Sequence, residues 1–206
     1  MTRIAVLDYG IGNLRSAQKA LQHVGADARL TDDPKTVRAA DAVVLPGVGA
    51  FGPCIEALRS RGLDELALDA IASRRPFLGV CIGMQMLYDS SDEAPGVAGL
   101  GVLPGRCRLL PDSVKRPQMQ WNLLEPSRSS AMLDGLEAPV WMYFVHSYAP
   151  QMSVDVVATC DYGGPVTAAV ERGNVWATQF HPEKSGATGL QLLGNFVRAV
   201  DAARAG

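Results

Sequence analysis

One short pattern in the chain is suited to nucleophilic chemistry. Gly79-Val80-Cys81-Ile82-Gly83 follows the apolar run Phe77–Val80 and leads into a helical stretch. Strand, G-x-C-x-G, helix is the layout of a nucleophile elbow with sulfur in place of oxygen. The tight turn asks for small residues on both sides of the nucleophile. A thiol lifted there would lie at a helix N-terminus, where positive potential favours thiolate, and the Ile82 N–H could meet a developing oxyanion. With 21 Gly and four Cys in 206 residues, chance supplies only roughly 0.04 such patterns.

A cysteine nucleophile needs a base, and the base needs an orienter. The three histidines are His23, His146 and His181. His23 falls near the end of an amphipathic helical pattern, where a solvated or capping imidazole is the plain reading. His181 follows the apolar run Val175–Phe180, with Glu183 two residues on and Pro182 fixing the backbone between them. His146 ends another apolar run and is the rival base. Spacing does not choose between them, because a triad is a spatial arrangement. Pro46-Gly47-Val48-Gly49 also stands at a strand end, where a glycine-flanked peptide can turn its N–H towards an oxyanion at little cost. No G-K-[ST] follows it, so it is not a phosphate loop. No cluster with metal-ligand spacing is present.

These residues need a scaffold that gathers strand ends. Ile4–Leu7 reads as a buried strand, followed by a helix carrying Leu14, Ala17, Leu21 and Val24 on one face and closed by Gly25. Ala28–Leu30 is a short strand. Thr31-Asp32-Asp33-Pro34 opens a helix to about Ala40, and Ala42–Leu45 is a third strand. Helices are expected at 53–61, 64–73 and 82–89, with the strand Phe77–Val80 between the last two. Beyond Leu100, β-type runs fall at 106–110, 121–124, 140–146, 154–159, 166–170 and 175–180, and a helix at 189–203 closes the chain. The expected fold is α/β: one open, twisted mixed sheet, mostly parallel, with helices on both faces and antiparallel additions or a second sheet beside it. No linker or repeat divides it, so a single domain over 1–206 is expected.

Composition is that of an ordinary globular chain with enough apolar material for a sizeable core. The AVILMFWYC residues are 48% of the chain, and 19 basic against 21 acidic residues leave a net charge of −2. That charge gives no footprint for nucleic acid. The apolar stretches around 42–55 and 76–88 are broken by Gly and Pro and fall short of the ~20 residues a membrane helix needs. Asp8 interrupts the N-terminal apolar run, so no secretory signal is expected. Four scattered cysteines, Cys54, Cys81, Cys107 and Cys160, fit buried thiols in a reducing cytoplasm.

Taken together, the segments resemble the class I, or triad, glutamine amidotransferases. Gly79 through Gln85 is similar to that family's nucleophile motif, His181-Pro182-Glu183 to its base and orienter, and Gly99-Leu100-Gly101-Val102-Leu103-Pro104-Gly105 is typical of it. The resemblance runs along nearly the whole chain. It includes Asp8 through Ser16, Pro46–Gly49 with Phe51, Tyr143 through Tyr148, and Gln179 through Ser185. Those marks resemble the glutaminase subunits that serve a separate (β/α)8 barrel cyclase in histidine biosynthesis.

The resemblance implies a flavodoxin-like sheet, no cofactor, and glutamine as substrate. It implies Cys81 as nucleophile, His181 as base and Glu183 as its orienter. It implies an oxyanion hole from Ile82 and the Gly47–Val48 peptide, and substrate grip by Gln85, Ser147 and Tyr148. It further implies a heterodimer that passes ammonia through a protected channel, with Asn13, Trp121 and Lys184 as interface candidates. One stretch departs: where the family usually has Pro-His-Met-Gly-Trp-Asn, this chain has Pro117-Gln118-Met119-Gln120-Trp121-Asn122. A glutaminase serving another synthase (pyridoxal phosphate, anthranilate or GMP), a stand-alone γ-glutamyl hydrolase and a silent binding module are the competing readings. The Asp8–Ser16 and Tyr143–Tyr148 segments disfavour the other synthases, and the intact Cys, His and Glu set disfavours a silent module.

Overall fold

The computed structural model describes residues 1–205. The first half alternates as the apolar periodicity requires. β1 (Arg3–Leu7), α1 (Leu14–His23), β2 (Asp27–Thr31), α2 (Pro34–Ala39) and β3 (Ala42–Leu45) are followed by α3 (Phe51–Ser60), α4 (Leu63–Ala72) and β4 (Phe77–Val80). Strands β3 and β4 are buried at every position. This is why they read as unbroken apolar runs: both faces of a parallel sheet are covered by helices. Asp33 caps α2 by accepting from the Lys35 and Thr36 N–H groups, and Pro34 occupies the first turn, where no donor is needed.

The expected helix at 82–89 is shorter in the structure. α5 spans only Ile82–Met86, and Tyr88–Ser91 forms a strand, β5. The Leu87 carbonyl accepts from the Val102 and Leu103 N–H groups and the Met86 carbonyl from Leu100. The crossing chain thus takes up carbonyls at the helix end, and the register turns to β. The rest follows as β6 (Leu103–Leu109), β7 (Gln118–Leu123), β8 (Glu125–Pro126), β9 (Trp141–His146), β10 (Tyr148–Pro150), β11 (Val156–Asp161), β12 (Pro165–Arg172), β13 (Val175–Thr178) and α6 (Gly186–Ala205). Residues Phe180 and Gln179, expected to extend the last strand, lie beyond its end.

The main sheet has eight strands in the order β2-β1-β3-β4-β13-β12-β11-β8. The first five are parallel, and the pairings from β13 outward through β12 and β11 to β8 are antiparallel. Both alternatives for the second half are realised, because β10-β6-β5 and β7-β9 form two small sheets beside the main one. One apolar layer joins α1 and α6 to the sheet through Leu21, Leu193 and Phe196; the other joins α2, α3 and α4 through Val37, Ile55 and Leu66. The chain reverses direction across the sheet between β1 and β3. Loops leaving their carboxyl ends therefore open a crevice, the usual ligand position in a doubly wound sheet. No helix among the described residues is long and apolar enough to cross a membrane.

The tightest approach in this scaffold is at Gly83, where an added Cβ would lie 1.8 Å from the Leu45 carbonyl oxygen. Gly83→Ala is therefore expected to destabilise the protein by about 3 kcal/mol. Gly194→Ala, on the middle of α6 with only the flexible Arg198 guanidinium nearby, should instead stabilise it by about 0.5–1 kcal/mol. Urea unfolding midpoints of the two variants check both signs.

Candidate active site

The elbow is present and strained. Cys81 adopts φ +56°, ψ −112°, one of two non-glycine residues at positive φ among those described. Such a conformation costs about 1–3 kcal/mol and persists only where its surroundings impose it. Here the Cys81 N–H donates to the Thr178 carbonyl at 2.7 Å and its own carbonyl accepts from the Gln85 N–H at 3.2 Å. Gly79 and Gly83 supply the missing volume: a Cβ on Gly79 would press on the Gly83 carbonyl and Leu87 at 3.0 Å. The sulfur is largely buried, yet Cys81 borders a cavity of about 230 Å³. That is below the ~300 Å³ at which drug-sized pockets begin, and suits a molecule the size of an amino acid.

His181 borders the same cavity. It leaves β13 into the 3-10 turn Pro182–Lys184, its N–H donating to the Tyr143 carbonyl at 2.9 Å and its carbonyl accepting from the Ser185 hydroxyl at 2.6 Å. Its Nδ1 lies 2.8 Å from Glu183 Oε1, with the two side chains 1% and 5% exposed. The carboxylate fixes the proton on Nδ1 and leaves Nε2 without a conventional hydrogen-bond partner among the described residues. Burial alone would push this imidazole down. The Cys81 sulfur and the Glu183 carboxylate outweigh it and hold the imidazolium well above its ordinary range.

His146, the rival, is also in the cavity wall but differently wired. Its Nδ1 donates to the Tyr148 carbonyl at 2.9 Å, with no carboxylate behind it. Burial, aided by the nearby His181 charge and opposed by that backbone bond, pushes it down to about 4. His23 is exposed at the end of α1.

The Pro46–Gly49 segment packs on the elbow. The Tyr9 hydroxyl donates to the Pro46 carbonyl at 2.8 Å, and the Cys54 thiol lies 3.6 Å from the Val48 carbonyl. A Cβ on Gly47 would strike the Tyr9 hydroxyl at 2.1 Å and Ile82 at 2.3 Å. Val48, Gly49 and Ile82 line the cavity, whereas Gly47 does not. As the first residue of α5, Ile82 has an N–H with no acceptor inside the helix.

Gln85, Ser147 and Tyr148 line the cavity as well. The Gln85 Nε2 donates to the Tyr148 carbonyl and to Gln179 Oε1, both at 2.9 Å, and its Oε1 has no protein partner among the described residues. Three wall residues escaped sequence reasoning: Glu93, Pro117 and Val145. Glu93 accepts from the Phe51 N–H at 2.8 Å. Its Ser-Asp-Glu-Ala-Pro surroundings look like a polar turn, and nothing in them signals this reach.

Trp121 lies on the outward face of the β7–β9 ribbon with Met119, Leu123 and Trp141, all of them exposed. Trp121 meets Tyr143 edge-on, and the Lys184 ammonium stands 5.9 Å from the Tyr143 ring centre. Asn13 is exposed before α1, its side chain accepting from the Ser16 hydroxyl. Gln118 is fully buried opposite His146, whereas Gln120 is exposed.

A doubly wound sheet with a cysteine elbow and a carboxylate-backed histidine at its crevice defines a class. The chain matches the family model for glutamine amidotransferase class-I over residues 5–200, and it belongs to that family. It is 51% identical to the imidazole glycerol phosphate synthase subunit HisH of Methanothermobacter thermautotrophicus, over 97% of this chain and 100% of that one. It is 47% identical to the HisH subunit of Symbiobacterium thermophilum, over 97% and 95% of the two chains. Among solved structures, PurLQS of Thermotoga maritima superposes with a TM-score of 0.73 at 21% identity, covering 100% of this chain and 99% of that one. At that identity the likeness speaks for the fold alone.

The buried neutral His146 gives a pH prediction. The unfolded chain takes up this proton more readily, so stability falls as pH drops from about 6.5 towards about 4, by at most about 1.4 kcal/mol per unit from this residue. Denaturation at pH 7 and pH 5 should show a smaller acid loss in His146→Leu than in wild type. Equal losses would contradict a neutral His146.

Proposed function

We propose that the chain is the glutaminase subunit of imidazole glycerol phosphate synthase. In this reading it acts as one glutamine amidotransferase domain over 1–206, hydrolysing glutamine to glutamate and ammonia for a separate synthase subunit in histidine biosynthesis. The observation that carries this reading is the buried His181–Glu183 pair at 2.8 Å. It leaves Nε2 available beside a cysteine held at a strained elbow.

Cys81 Sγ, its proton already passed to His181 Nε2, attacks the side-chain carboxamide carbon of glutamine as the thiolate of an ion pair. Glu183 holds the tautomer and stabilises the imidazolium. The oxyanion of the tetrahedral adduct is met by the Ile82 N–H and the Gly47–Val48 peptide N–H. The adduct collapses with the proton returning from His181 to the leaving nitrogen, which departs as ammonia. His181 then deprotonates a water that attacks the thioester carbonyl, and glutamate and the thiol are restored. Gln85 with its free Oε1, the Ser147–Tyr148 backbone and the Glu93 carboxylate bind the α-ammonium and α-carboxylate end.

The partner is a (β/α)8 cyclase subunit, docked as a heterodimer over Asn13, Trp121 and Lys184. Support comes from the exposed Met119, Trp121, Leu123 and Trp141, a contiguous apolar face on a two-stranded ribbon. Such a face marks an interaction site more than ordinary surface. Covering the cavity keeps ammonia out of bulk water, where it would be protonated and lose its nucleophilicity. The peptides on either side of Gly47–Val48 have their carbonyls engaged by Tyr9 and Cys54. The Gly47–Val48 peptide is the joint left to reorient when the partner docks.

With the synthase subunit present, Cys81→Ala should lower glutamine hydrolysis by at least about 10⁴-fold, while His146→Ala keeps measurable turnover. The isolated chain should hydrolyse glutamine more slowly than the complex carrying the synthase ligand. A glutamine-like diazo-ketone that labels native protein elsewhere than Cys81, or equal rates with and without partner, would count against the reading.

A further inference from the structure

We propose that Gln179 is a catalytic residue: its carboxamide N–H donates to the Cys81 sulfur and favours the thiolate, in an orientation imposed through Gln85 by the Tyr148 carbonyl. This rests on the reading of Cys81 as the nucleophile. The starting point is a shortfall. A helix N-terminus was the expected source of thiolate stabilisation, but α5 has only five residues, and a dipole that short contributes little. The Val145 carbonyl, 3.9 Å from the sulfur, is an acceptor and opposes negative charge. Besides the His181 imidazole, the side-chain donor at the sulfur is Gln179 Nε2, at 3.8 Å.

An amide can present either end, so its direction needs a cause. A backbone carbonyl can only accept. The Tyr148 carbonyl takes a bond from His146 Nδ1 and another from Gln85, so Gln85 must turn its NH₂ that way. The same Nε2 reaches Gln179 Oε1 at 2.9 Å. With its oxygen claimed, Gln179 has only N–H groups to offer the sulfur. Gln179 is fully buried, and its backbone N–H is pinned to the Ala168 carbonyl at 2.8 Å. In a water-poor site a hydrogen bond to an anion is stronger than one to a neutral thiol. When the thiol proton moves to His181 Nε2, the Gln179 bond tightens onto the sulfur that has gained the charge. No other bond is made or broken. Gln85 acts through Gln179 and is a positioning residue in this respect.

The test is the rate of Cys81 alkylation by iodoacetamide, mapped by peptide mass spectrometry to separate it from Cys54, Cys107 and Cys160. The variants are Gln179→Met, which keeps length without a donor, and Gln179→Glu, which keeps shape but offers an acceptor. At pH 7, Gln179→Met should alkylate about tenfold more slowly than wild type, and Gln179→Glu more slowly still. At pH 9.5 the rates should converge. Gln85→Met should show the same convergence with a smaller deficit. In the synthase complex, kcat should fall in Gln179→Met with KM little changed. A wild-type pH profile in the Gln179 variants, or an equal slowing at both pH values, overturns the proposal. Failure of wild-type Cys81 to alkylate faster than a free thiol would instead overturn the nucleophile reading beneath it.

Discussion

Helix α5 lies so close to the end of β3 that only hydrogen can occupy the side-chain position of Gly83. That approach leaves no room for a gradual turn between β4 and α5. Cys81 absorbs the whole change of direction in one residue, at positive φ. The sulfur is thereby thrust from the sheet end into the cavity lined by the loops after β3 and β13 and by Val145–Tyr148. Every other group in the cavity is placed relative to that bend. Tyr9 and Ile82 wedge Gly47 against it, and the Cys81 N–H ties it to Thr178 on the neighbouring strand.

The site then sorts charge by wiring two buried histidines in opposite ways. His181 has a carboxylate on Nδ1 and sulfur beyond Nε2, so it holds a proton readily. His146 has a backbone carbonyl on Nδ1 and nothing anionic, so burial keeps it neutral. Their mutual repulsion reinforces the split, since one imidazolium disfavours a second beside it. A neutral His146 also serves as a fixed donor to the Tyr148 carbonyl, where the Gln85–Gln179 relay begins.

Much of this was legible in the residues. The elbow could be read because its glycines are forced by contact, and the parallel core because strands covered on both faces leave continuous apolar runs. The Asp33–Pro34 cap is a local signal that needs no tertiary context. Three things were hidden for the opposite reason. The early end of α5 depends on carbonyls claimed by residues 100–103. The reach of Glu93 to the Phe51 N–H joins segments 42 residues apart in the chain. The choice between His146 and His181 depends on which imidazole meets a carboxylate. Gln118 shows the same limit: nothing in its segment signals that it is buried opposite His146, while Gln120 on the same face of β7 is exposed.

The account comes down to whether the carboxylate behind His181 holds the imidazole in the state that activates Cys81. Glu183→Gln preserves the shape of that side chain and removes its charge. Glutamine turnover by this variant in complex with the synthase subunit is the most direct measurement. The account predicts a fall in kcat of about 10⁴-fold with KM little altered. Turnover within a few-fold of wild type would contradict it.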